Sequence, residues 1–427
     1  MIFIYRINSD DAFRVSGAKR IINLNDNKSF SYTFWNDLTK YETWYDTKAL
    51  DLLYISLAVF ASDRLVSRSD ADDSWSRDFE IYIPVINLEL WNLNKDLLEK
   101  MLSFLSGDNW EFRFRERTLT EKEKKHNEKF NNSKKEVLKY SQVCMFSGGL
   151  DSFVGLIDIL ESDMKTDTLF VSHYGGGKGT KEYQDSLKNA FCEYYNCSQK
   201  DFHQFYAKVV GGKEDTTRTR SFMFFSHAIA LASALNDNVD LIIPENGLIS
   251  LNIPSTLSRL GTSSTRTTHP YYLGLFQQLL NNLDLSITLK NPYQFKTKGE
   301  MLLECKNQSF MIAHINETMS CSHPDNGRHH KEGQTMHCGY CLPCVIRQAA
   351  IKKANIEDTN QYRDNKFEKM EVAKESINSY KLGLKRFKPQ YAFMSIQQSG
   401  NITNHIDEYA SLYVRGMQEL KEYLEDL

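Results

Sequence analysis

The sequence predicts an α/β fold built on a doubly wound parallel sheet, and two observations lead to that prediction. From about residue 138, short apolar runs alternate with longer amphipathic segments, as strands alternate with helices. The first apolar run, residues 143–146, leads through two glycines into a second apolar stretch, as a strand leads through a tight turn into a helix. Such sheets bind ligands outside the carboxyl ends of their strands, so this turn marks a candidate ligand site.

Apolar runs and helical spacings place the individual elements of this region. Residues 136–354 are predicted to form one domain around the sheet. Strands are predicted at residues 143–146, 168–172, 202–210, 241–243 and 286–289. Helices are predicted between them, at residues 152–161, 181–194, 221–235 and 271–281.

The flanking segments have other patterns. Residues 1–135 mix strand-like and helical stretches, with period-two alternation at 79–83 and 110–115, and predict a small N-terminal α+β domain. A charge run at residues 120–129 predicts a solvated helix or a linker at the end of that domain. Residues 355–427 are polar, with apolar residues at helical spacing, and predict a helical C-terminal region.

Composition limits the possible functions. The 427 residues are 25% charged and 41% hydrophobic, as in ordinary globular proteins of two or three domains. The net charge of −3 predicts no large contact with nucleic acid. The first residues lack a signal-peptide core and the longest apolar run, residues 52–61, is too short to span a membrane, so a cytoplasmic location without membrane contact is predicted. There the eight cysteines are expected to be thiols or metal ligands.

The turn after the first predicted strand is suited to phosphate. Glycine tolerates the positive φ angles of a tight turn and lets the backbone approach a ligand. The helix that follows would offer free N–H groups and a positive dipole end to an anion. The order of residues is not that of the Walker motif, and a plain strand-to-helix turn is the alternative. The loop consists of Ser147, Gly148, Gly149, Leu150, Asp151 and Ser152.

A cysteine cluster lies near the end of the predicted domain. Four thiolates, three of them within seven residues, can close a tetrahedral zinc site. The predicted zinc ligands are Cys321, Cys338, Cys341 and Cys344. A mixed Cys/His site is also possible because histidines interleave with these cysteines: His323, His329, His330 and His337. An iron–sulfur cluster or metal-free thiols would account for the same spacing. The remaining cysteines are predicted to pack in the interior: Cys144, Cys192, Cys197 and Cys305.

The order Ser-Gly-Gly-Leu-Asp-Ser resembles the PP-loop of ATP pyrophosphatases, which cut ATP between its α and β phosphates. With the pattern Cys-Gly-x-Cys-x-x-Cys-x-x-Arg, which ends at Arg347, it resembles the QueC family of 7-cyano-7-deazaguanine synthases. The resemblance extends over about residues 140–352. It includes, in the same order, Tyr174-Gly175, the segment that starts at Arg220, and Thr297-Lys298-Gly299-Glu300.

This resemblance implies an activity and roles for residues. Enzymes of the family adenylate the carboxylate of 7-carboxy-7-deazaguanine with ATP, add ammonia to give an amide, and adenylate again to give a nitrile. The implied cofactors are ATP, Mg²⁺ and Zn²⁺. Asp151 is expected to orient the loop or to hold Mg²⁺, and Lys298 and Arg220 are expected near phosphates. The residues expected to act in catalysis are Ser147, Asp151, Arg220 and Lys298. Those expected to bind the nucleotide are Ser147, Gly148, Gly149, Leu150, Asp151, Ser152, His173 and Tyr174.

The chain also departs from the biosynthetic pattern. Gly176-Gly177-Lys178 stands where the family has Gln-Arg, and the stretches 244–254 and 259–269 differ from the family's substrate-binding region. The N-terminal and C-terminal segments are additions. In these respects the chain resembles more closely the QueC-like proteins of bacterial anti-phage operons, the QatC type. That resemblance implies a partner protein, encoded nearby, whose amine accepts the activated carboxylate.

The sequence leaves several functions open. Ammonia is the second candidate acceptor, which would make the chain a synthase of queuosine-type biosynthesis. A PP-loop tRNA-modifying enzyme would need a basic RNA surface, which the net charge does not favour. A non-catalytic nucleotide-binding scaffold would be expected to have lost Ser147 or Asp151, and both are present. The added segments could serve dimerisation or stability instead of a partner, and a homo-oligomer is left open.

Overall fold

The computed structural model of the chain describes residues 1–38, 44–132, 140–163, 167–175, 178–215, 218–235, 238–253, 266–324 and 333–427. Element labels number the described strands and helices in chain order. Among residues singled out in the sequence, His329, His330, Gly176, Gly177 and part of the stretch 244–269 lie outside these ranges.

The described elements alternate along most of the chain. The strands are β1 Ile2–Arg6, β2 Arg20–Asn23, β3 Phe30–Tyr32, β4 Asp78–Val85, β5 Asn109–Glu116, β6 Gln142–Met145, β7 Thr168–Tyr174, β8 Phe202–Val209, β9 Val239–Ile242 and β10 Ile287–Lys290. The helices are α1 Phe34–Leu38, α2 Thr47–Leu65, α3 Leu88–Leu93, α4 Lys95–Ser106, α5 Glu121–Asn132, α6 Leu150–Leu160, α7 Lys178–Tyr195, α8 Arg220–Ala232, α9 Gly247–Leu251, α10 Pro270–Asn282, α11 Lys298–Leu303, α12 Gln308–His314, α13 Leu342–Lys353, α14 Glu371–Arg386, α15 Ala392–Ser399 and α16 Ile406–Leu424. Among these helices, none combines the length and the hydropathy needed to cross a membrane.

Six strands form the larger sheet, in the order β10-β9-β6-β7-β8-β3. Strands β6 to β10 pair in parallel, and β3 runs antiparallel to β8. The chain moves outward from β6 through β7 to β8, then crosses to the other side of β6 for β9 and β10. This reversal defines a doubly wound sheet and confirms the predicted fold class. The crevice outside the carboxyl ends of β6 and β9 is the position where such sheets bind ligands.

Helices cover both faces of this sheet because its residues alternate between two hydrophobic clusters. Val143 and Met145 of β6 pack with α2, α8 and α10 on one face. Cys144, as predicted for a packing cysteine, packs with α6 and α7 on the other face, together with Phe146. Strands buried on both faces are apolar at successive positions, so the sequence revealed them as apolar runs. The predicted elements of this sheet all occur, with ends shifted by about three residues or fewer.

The N-terminal residues form a four-stranded sheet and also contribute to the larger one. The order is β2-β1-β4-β5, and these neighbours pair in parallel. Helix α2 is buried along nearly its whole length and contacts β4 of one sheet and β8 of the other. Strand β3 was not predicted, since three residues are too few to show a period. The same hydrophobic cluster therefore extends from Phe3 of β1 to Ile287 of β10.

The charge run forms α5, and one face of this helix is buried. Glu123 accepts hydrogen bonds from the Arg117 guanidinium at 2.9 and 3.0 Å and from the Thr120 N–H at 2.6 Å. The His126 ring lies against Tyr45, with centroids 4.9 Å apart. The expectation of a solvated helix or linker holds only for the outer face, because the Arg117 charge allows the Glu123 carboxylate to be buried.

The C-terminal region is helical, as predicted, and its last helix packs on the sheet domain. Helix α16 contacts α9 and α13. Leu412 of α16 lies over Gly247 of α9, and Leu248 of α9 lies over Gly416 of α16. A side chain at either glycine would overlap the facing leucine, so the two helices approach closely because both positions lack a Cβ.

Asp63 in α2 connects the N-terminal segment to α8. Its Oδ1 accepts a hydrogen bond from Arg77 Nη2 at 2.6 Å. Its Oδ2 accepts the backbone N–H groups of Arg218 and Thr219, both at 3.0 Å, and the Thr219 hydroxyl at 2.8 Å. These N–H groups precede the first turn of α8, where the helix itself supplies no acceptor. Asp63 therefore satisfies a helix start that belongs to the larger sheet.

We expect Asp63→Ala to lower the free energy of unfolding by about 3 kcal/mol, because it leaves the buried Arg77 with fewer partners and removes the acceptor at the start of α8. Chemical denaturation followed by circular dichroism measures this change. Asp72→Ala removes an exposed carboxylate from the loop after α2 and is the control, with an expected change below about 0.5 kcal/mol. Unchanged stability of Asp63→Ala would contradict the role assigned to Asp63.

Candidate nucleotide and metal site

The loop between β6 and α6 is a tight turn that brings two hydroxyls together. Gly148 has a φ of +82°, which residues with a Cβ rarely adopt. The Ser147 and Ser152 hydroxyl oxygens lie 3.1 Å apart, and Ser147 Oγ accepts the Gly149 N–H at 3.3 Å. The Ser152 hydroxyl donates to the Gly149 carbonyl oxygen at 3.0 Å. The loop therefore has a defined conformation with both serines at one end of α6.

The first turn of α6 presents backbone N–H groups at this loop. Its N-cap is Gly149, which has no side chain to accept them. The Leu150 N–H is donated instead to the hydroxyl oxygen of Ser320, at 3.3 Å. A helix N-terminus carries partial positive charge, so this arrangement can bind a phosphate group.

Asp151, in the first turn of α6, is buried and is held from two sides. Its Oδ2 accepts the Asn246 N–H at 3.2 Å and the Asn246 side-chain amide at 2.7 Å. Its Oδ1 lies 3.0 Å from Lys298 Nζ. Burial alone would raise the pKa of the Asp151 carboxyl, but Lys298 and hydrogen bonds from Glu245 and Asn246 lower it below its ordinary value. Asp151 is therefore an anion that joins α6 to the segment between β9 and α9 and to the start of α11.

Glu245, next to Asn246, has the opposite protonation state. Burial and the Asp151 charge raise the pKa of Glu245 well above its ordinary value. A protonated Glu245 can donate a hydrogen bond to Asp151, which stabilises the charged form of Asp151. One negative charge is thus shared by the pair and neutralised by Lys298.

Lys298 lies against Asp151 and is nearly fully buried. It is the first residue of α11, whose N-cap Thr297 forms a capping box with Glu300. The Thr297 hydroxyl also donates to the Glu419 carboxylate of α16. The C-terminal helix therefore fixes the start of the helix that bears Lys298.

His173 and Arg220 meet at the carboxyl end of β7. Burial and the neighbouring Arg220 guanidinium lower the pKa of His173 well below its ordinary value, so the ring is neutral. Arg220 Nε donates to His173 Nδ1 at 3.4 Å, which assigns the ring proton to Nε2. His173 Nε2 is buried and has no hydrogen-bond partner among the described residues. The ring therefore holds a donor that a ligand could use.

Gln184 of α7 connects this strand end to the loop. Its side-chain amide donates to the Ser147 carbonyl oxygen at 3.0 Å and to the His173 carbonyl oxygen at 3.2 Å. Tyr174, next to His173, packs its ring against that of Tyr206, with ring centroids 5.3 Å apart. Among the described residues, Tyr174 forms no hydrogen bond or ring contact with the loop of residues 147–152. The ends of β6 and β7 are thus held together around one crevice.

The four predicted metal ligands come together. Their sulfur atoms all lie within 4.8 Å of one another, with Cys321–Cys341 at 4.0 Å and Cys338–Cys344 at 3.9 Å. Four sulfurs around a tetrahedral zinc ion are separated by roughly 3.8 Å, given Zn–S bonds of about 2.3 Å. Backbone N–H groups of Cys338 and Cys341 point at sulfurs of the cluster at 3.3 Å, which suits thiolates. The donor set therefore fits a zinc ion.

A mixed Cys/His site is not favoured by the described residues. His337 Nε2 accepts the Ser320 N–H at 3.2 Å, and the group of residues able to share one ion contains no described histidine. His329 and His330 lie outside the described residues. The remaining cysteines lie elsewhere: Cys305 is buried, and Cys192 and Cys197 are half-buried with sulfurs 3.5 Å apart.

Arg347, three residues after the last cysteine, connects this cluster to the segment before it. Its buried guanidinium donates to the Thr318 hydroxyl, and to the Ile315 carbonyl oxygen at 2.8 Å. The residue after Thr318, Met319, donates its N–H to the Gly148 carbonyl oxygen at 2.8 Å. The cysteine cluster and the loop of residues 147–152, called here the phosphate-type loop, are therefore neighbours, because both contact the segment 318–320.

Sequence reasoning did not identify Asn246, Gln184 or Ser320 as site residues. Asn246 could have been found, because it follows a predicted strand at the ligand-binding end of the sheet. Gln184 lies within a helix and Ser320 only precedes a cysteine, so neither carries a local signal.

Comparison with known proteins gives a partial match. Over 110 residues, 25% of this chain, the sequence is 31% identical to a 7-cyano-7-deazaguanine synthase of Rhizobium leguminosarum bv. trifolii (strain WSM2304). The match covers 42% of that synthase, less than half of its length. No protein-family model matches the chain, and no solved structure matches it significantly. The partial match supports a distant relationship to the synthase family that the loop and cysteine motifs resemble.

We expect the purified protein to contain about one zinc ion per chain and Cys338→Ser/Cys341→Ser to contain almost none, because two of four thiolates are lost. Elemental analysis by plasma mass spectrometry measures the content. Cys197→Ser, which removes a half-buried thiol outside the cluster, should keep its zinc. A coloured, iron-containing protein, or unchanged zinc in the double variant, would refute the zinc assignment.

Proposed function

We propose that this protein is a QueC-like, ATP-dependent enzyme that activates a 7-deazaguanine carboxylate as its adenylate and releases pyrophosphate. The observation that carries the proposal is the loop of residues 147–152 at the start of α6, with backbone N–H groups at the sheet's crevice and the buried Asp151 behind it. The partial match to a 7-cyano-7-deazaguanine synthase supports the substrate class.

The proposed reaction follows from charge. A carboxylate oxygen of the substrate attacks the α-phosphorus of ATP. The bond between the α-phosphorus and the oxygen that bridges to the β-phosphate breaks, and pyrophosphate leaves with the electron pair. Negative charge grows on pyrophosphate, where the N–H groups of the loop and the dipole of α6 stabilise it. The Arg220 guanidinium, at the neighbouring strand end, is proposed to face the α-phosphate and the carboxylate.

In this proposal, Asp151 and Lys298 orient the loop and do not contact the reacting atoms. Asn246 and Lys298 already engage the two Asp151 oxygens, so of the two roles expected for Asp151 we propose the orienting one. Lys298 neutralises Asp151 and is not assigned to a phosphate. Mg²⁺ bound with ATP would neutralise part of the charge on pyrophosphate.

For the acceptor we propose an amine on a partner protein, in a bacterial anti-phage setting within the cytoplasm. The departures between residues 244 and 269 support this choice. The N-terminal segment supports a partner protein less, because part of it belongs to the common hydrophobic core and so serves stability. The second candidate is a synthase that uses ammonia, and the partial match to a 7-cyano-7-deazaguanine synthase favours it.

Incubation with ATP, Mg²⁺ and 7-carboxy-7-deazaguanine should yield AMP and pyrophosphate, and Asp151→Ala should reduce this rate by a factor of about 100 or more, because the loop loses its buried anchor. Chromatography of the nucleotides and a coupled pyrophosphate assay measure both products. Asp163→Ala, an exposed carboxylate beyond α6, should keep wild-type activity. Formation of ADP and orthophosphate would refute the pyrophosphatase assignment.

Co-expression with neighbouring gene products should add the mass of the deazaguanine acyl group to a partner, because the adenylate transfers its acyl group to an amine and releases AMP. Intact-mass spectrometry measures the addition, which should depend on ATP and disappear with Asp151→Ala. Unmodified partners, together with accumulation of 7-cyano-7-deazaguanine when ammonia is supplied, would identify the protein as a synthase.

A further inference from the structure

Ser320 lies beside the phosphate-type loop, although it belongs to the segment before the cysteine cluster. Its hydroxyl oxygen accepts the Leu150 N–H at 3.3 Å, across 170 residues of chain. That N–H belongs to the first turn of α6, the group that an incoming phosphate would use. Ser320 is partly exposed, whereas Thr318 and Met319 before it are buried. The Ser320 hydroxyl oxygen is therefore the acceptor of an N–H group that a phosphate oxygen could also engage.

The position of Ser320 is fixed from both sides. The Met319 N–H is bonded to the Gly148 carbonyl oxygen at 2.8 Å, and Arg347 holds Thr318. The Ser320 N–H is donated to His337 Nε2 at 3.2 Å. His337 directly precedes Cys338, so the cysteine cluster determines where this acceptor lies. A residue held by these contacts keeps its hydroxyl in place while a ligand exchanges.

Gly149 of the loop lies close to the segment 318–320. A Cβ added at Gly149 would lie 3.5 Å from the Met319 carbonyl oxygen and 4.0 Å from Ser320 Oγ. A side chain at position 149 would therefore narrow the gap between the loop and the segment 318–320. The hydroxyls of Ser147 and Ser152 lie on the same loop, 3.1 Å from each other.

We propose that Ser320 is a phosphate ligand of this site and that His337 is its positioning residue. When ATP binds, an oxygen of its β- or γ-phosphate accepts the Leu150 N–H, and the Ser320 hydroxyl turns from acceptor to donor toward the same phosphate. His337 retains the Ser320 N–H throughout. The inference rests on the proposed function, because it takes ATP to be the ligand of the loop.

Calorimetric titration of the zinc-containing protein with α,β-methylene-ATP, pyrophosphate and AMP tests the proposal. Ser320→Ala should weaken the affinity for α,β-methylene-ATP and for pyrophosphate about tenfold or more, since a hydrogen bond to a charged group is lost, and should leave AMP binding unchanged. Ser322→Ala, two residues away and exposed, is the matched control and should bind all three ligands as the wild type does. Zinc content and thermal unfolding establish that each variant is folded.

His337 is tested by rescue. His337→Ala should weaken pyrophosphate binding, His337→Gln should restore it because the amide oxygen can accept the Ser320 N–H, and His337→Ala/Ser320→Ala should bind no more weakly than Ser320→Ala. Wild-type protein that binds neither α,β-methylene-ATP nor pyrophosphate would refute the proposed function itself. If the wild type binds them and Ser320→Ala binds equally or more tightly, Ser320 only competes with phosphate and the inference is wrong. Equal weakening for AMP would also overturn it.

Discussion

The buried contact between Asp151 and Lys298 joins the parts of the chain on which the candidate site depends. Asp151 belongs to the first turn of α6, Lys298 begins α11, and Asn246 is the N-cap of α9, in the segment that follows β9. An unpaired carboxylate in this position would be costly, so each of the three elements stabilises the placement of the others. The phosphate-type loop is thereby fixed to the switch point of the sheet before any ligand arrives, which is the preorganisation that electrostatic catalysis requires.

Further contacts connect the Asp151–Lys298 pair and the loop to other parts of the chain. Helix α16 fixes Thr297 beside Lys298 through Glu419, and its Leu412 covers Gly247 next to Asn246. The segment 318–320 fixes the other side of the loop and is itself held by Arg347. The C-terminal helices and the cysteine cluster therefore support opposite sides of one loop. The N-terminal segment supports the sheet from its other face through Asp63 and α2.

The sequence predicts those parts of the fold and the site that have local patterns. Strands β6 and β7 are buried on both faces and so appear as apolar runs. The loop and the cysteines are recognisable from spacing alone. The contacts that complete the site are not local: Asn246 is 95 residues from Asp151, and Ser320 is 170 residues from Leu150. The sequence shows the positive charge of Lys298, which suggested a phosphate contact. Its pairing with the buried Asp151 depends on the fold and has no local sequence signal. The edge strand β3 could not be predicted for a similar reason, since its strand conformation depends on pairing with β8.

A crystal structure of the zinc-containing protein with Mg²⁺ and α,β-methylene-ATP would show directly whether the loop binds the triphosphate, because this analogue cannot be cut between its α and β phosphates. We expect the β and γ phosphates to lie on the N–H groups of Gly149 and Leu150. We also expect the α-phosphorus to face the crevice beside Arg220 and His173. Triphosphate density away from the loop of residues 147–152, with that loop unchanged, would contradict the assignment of this site to ATP cleavage.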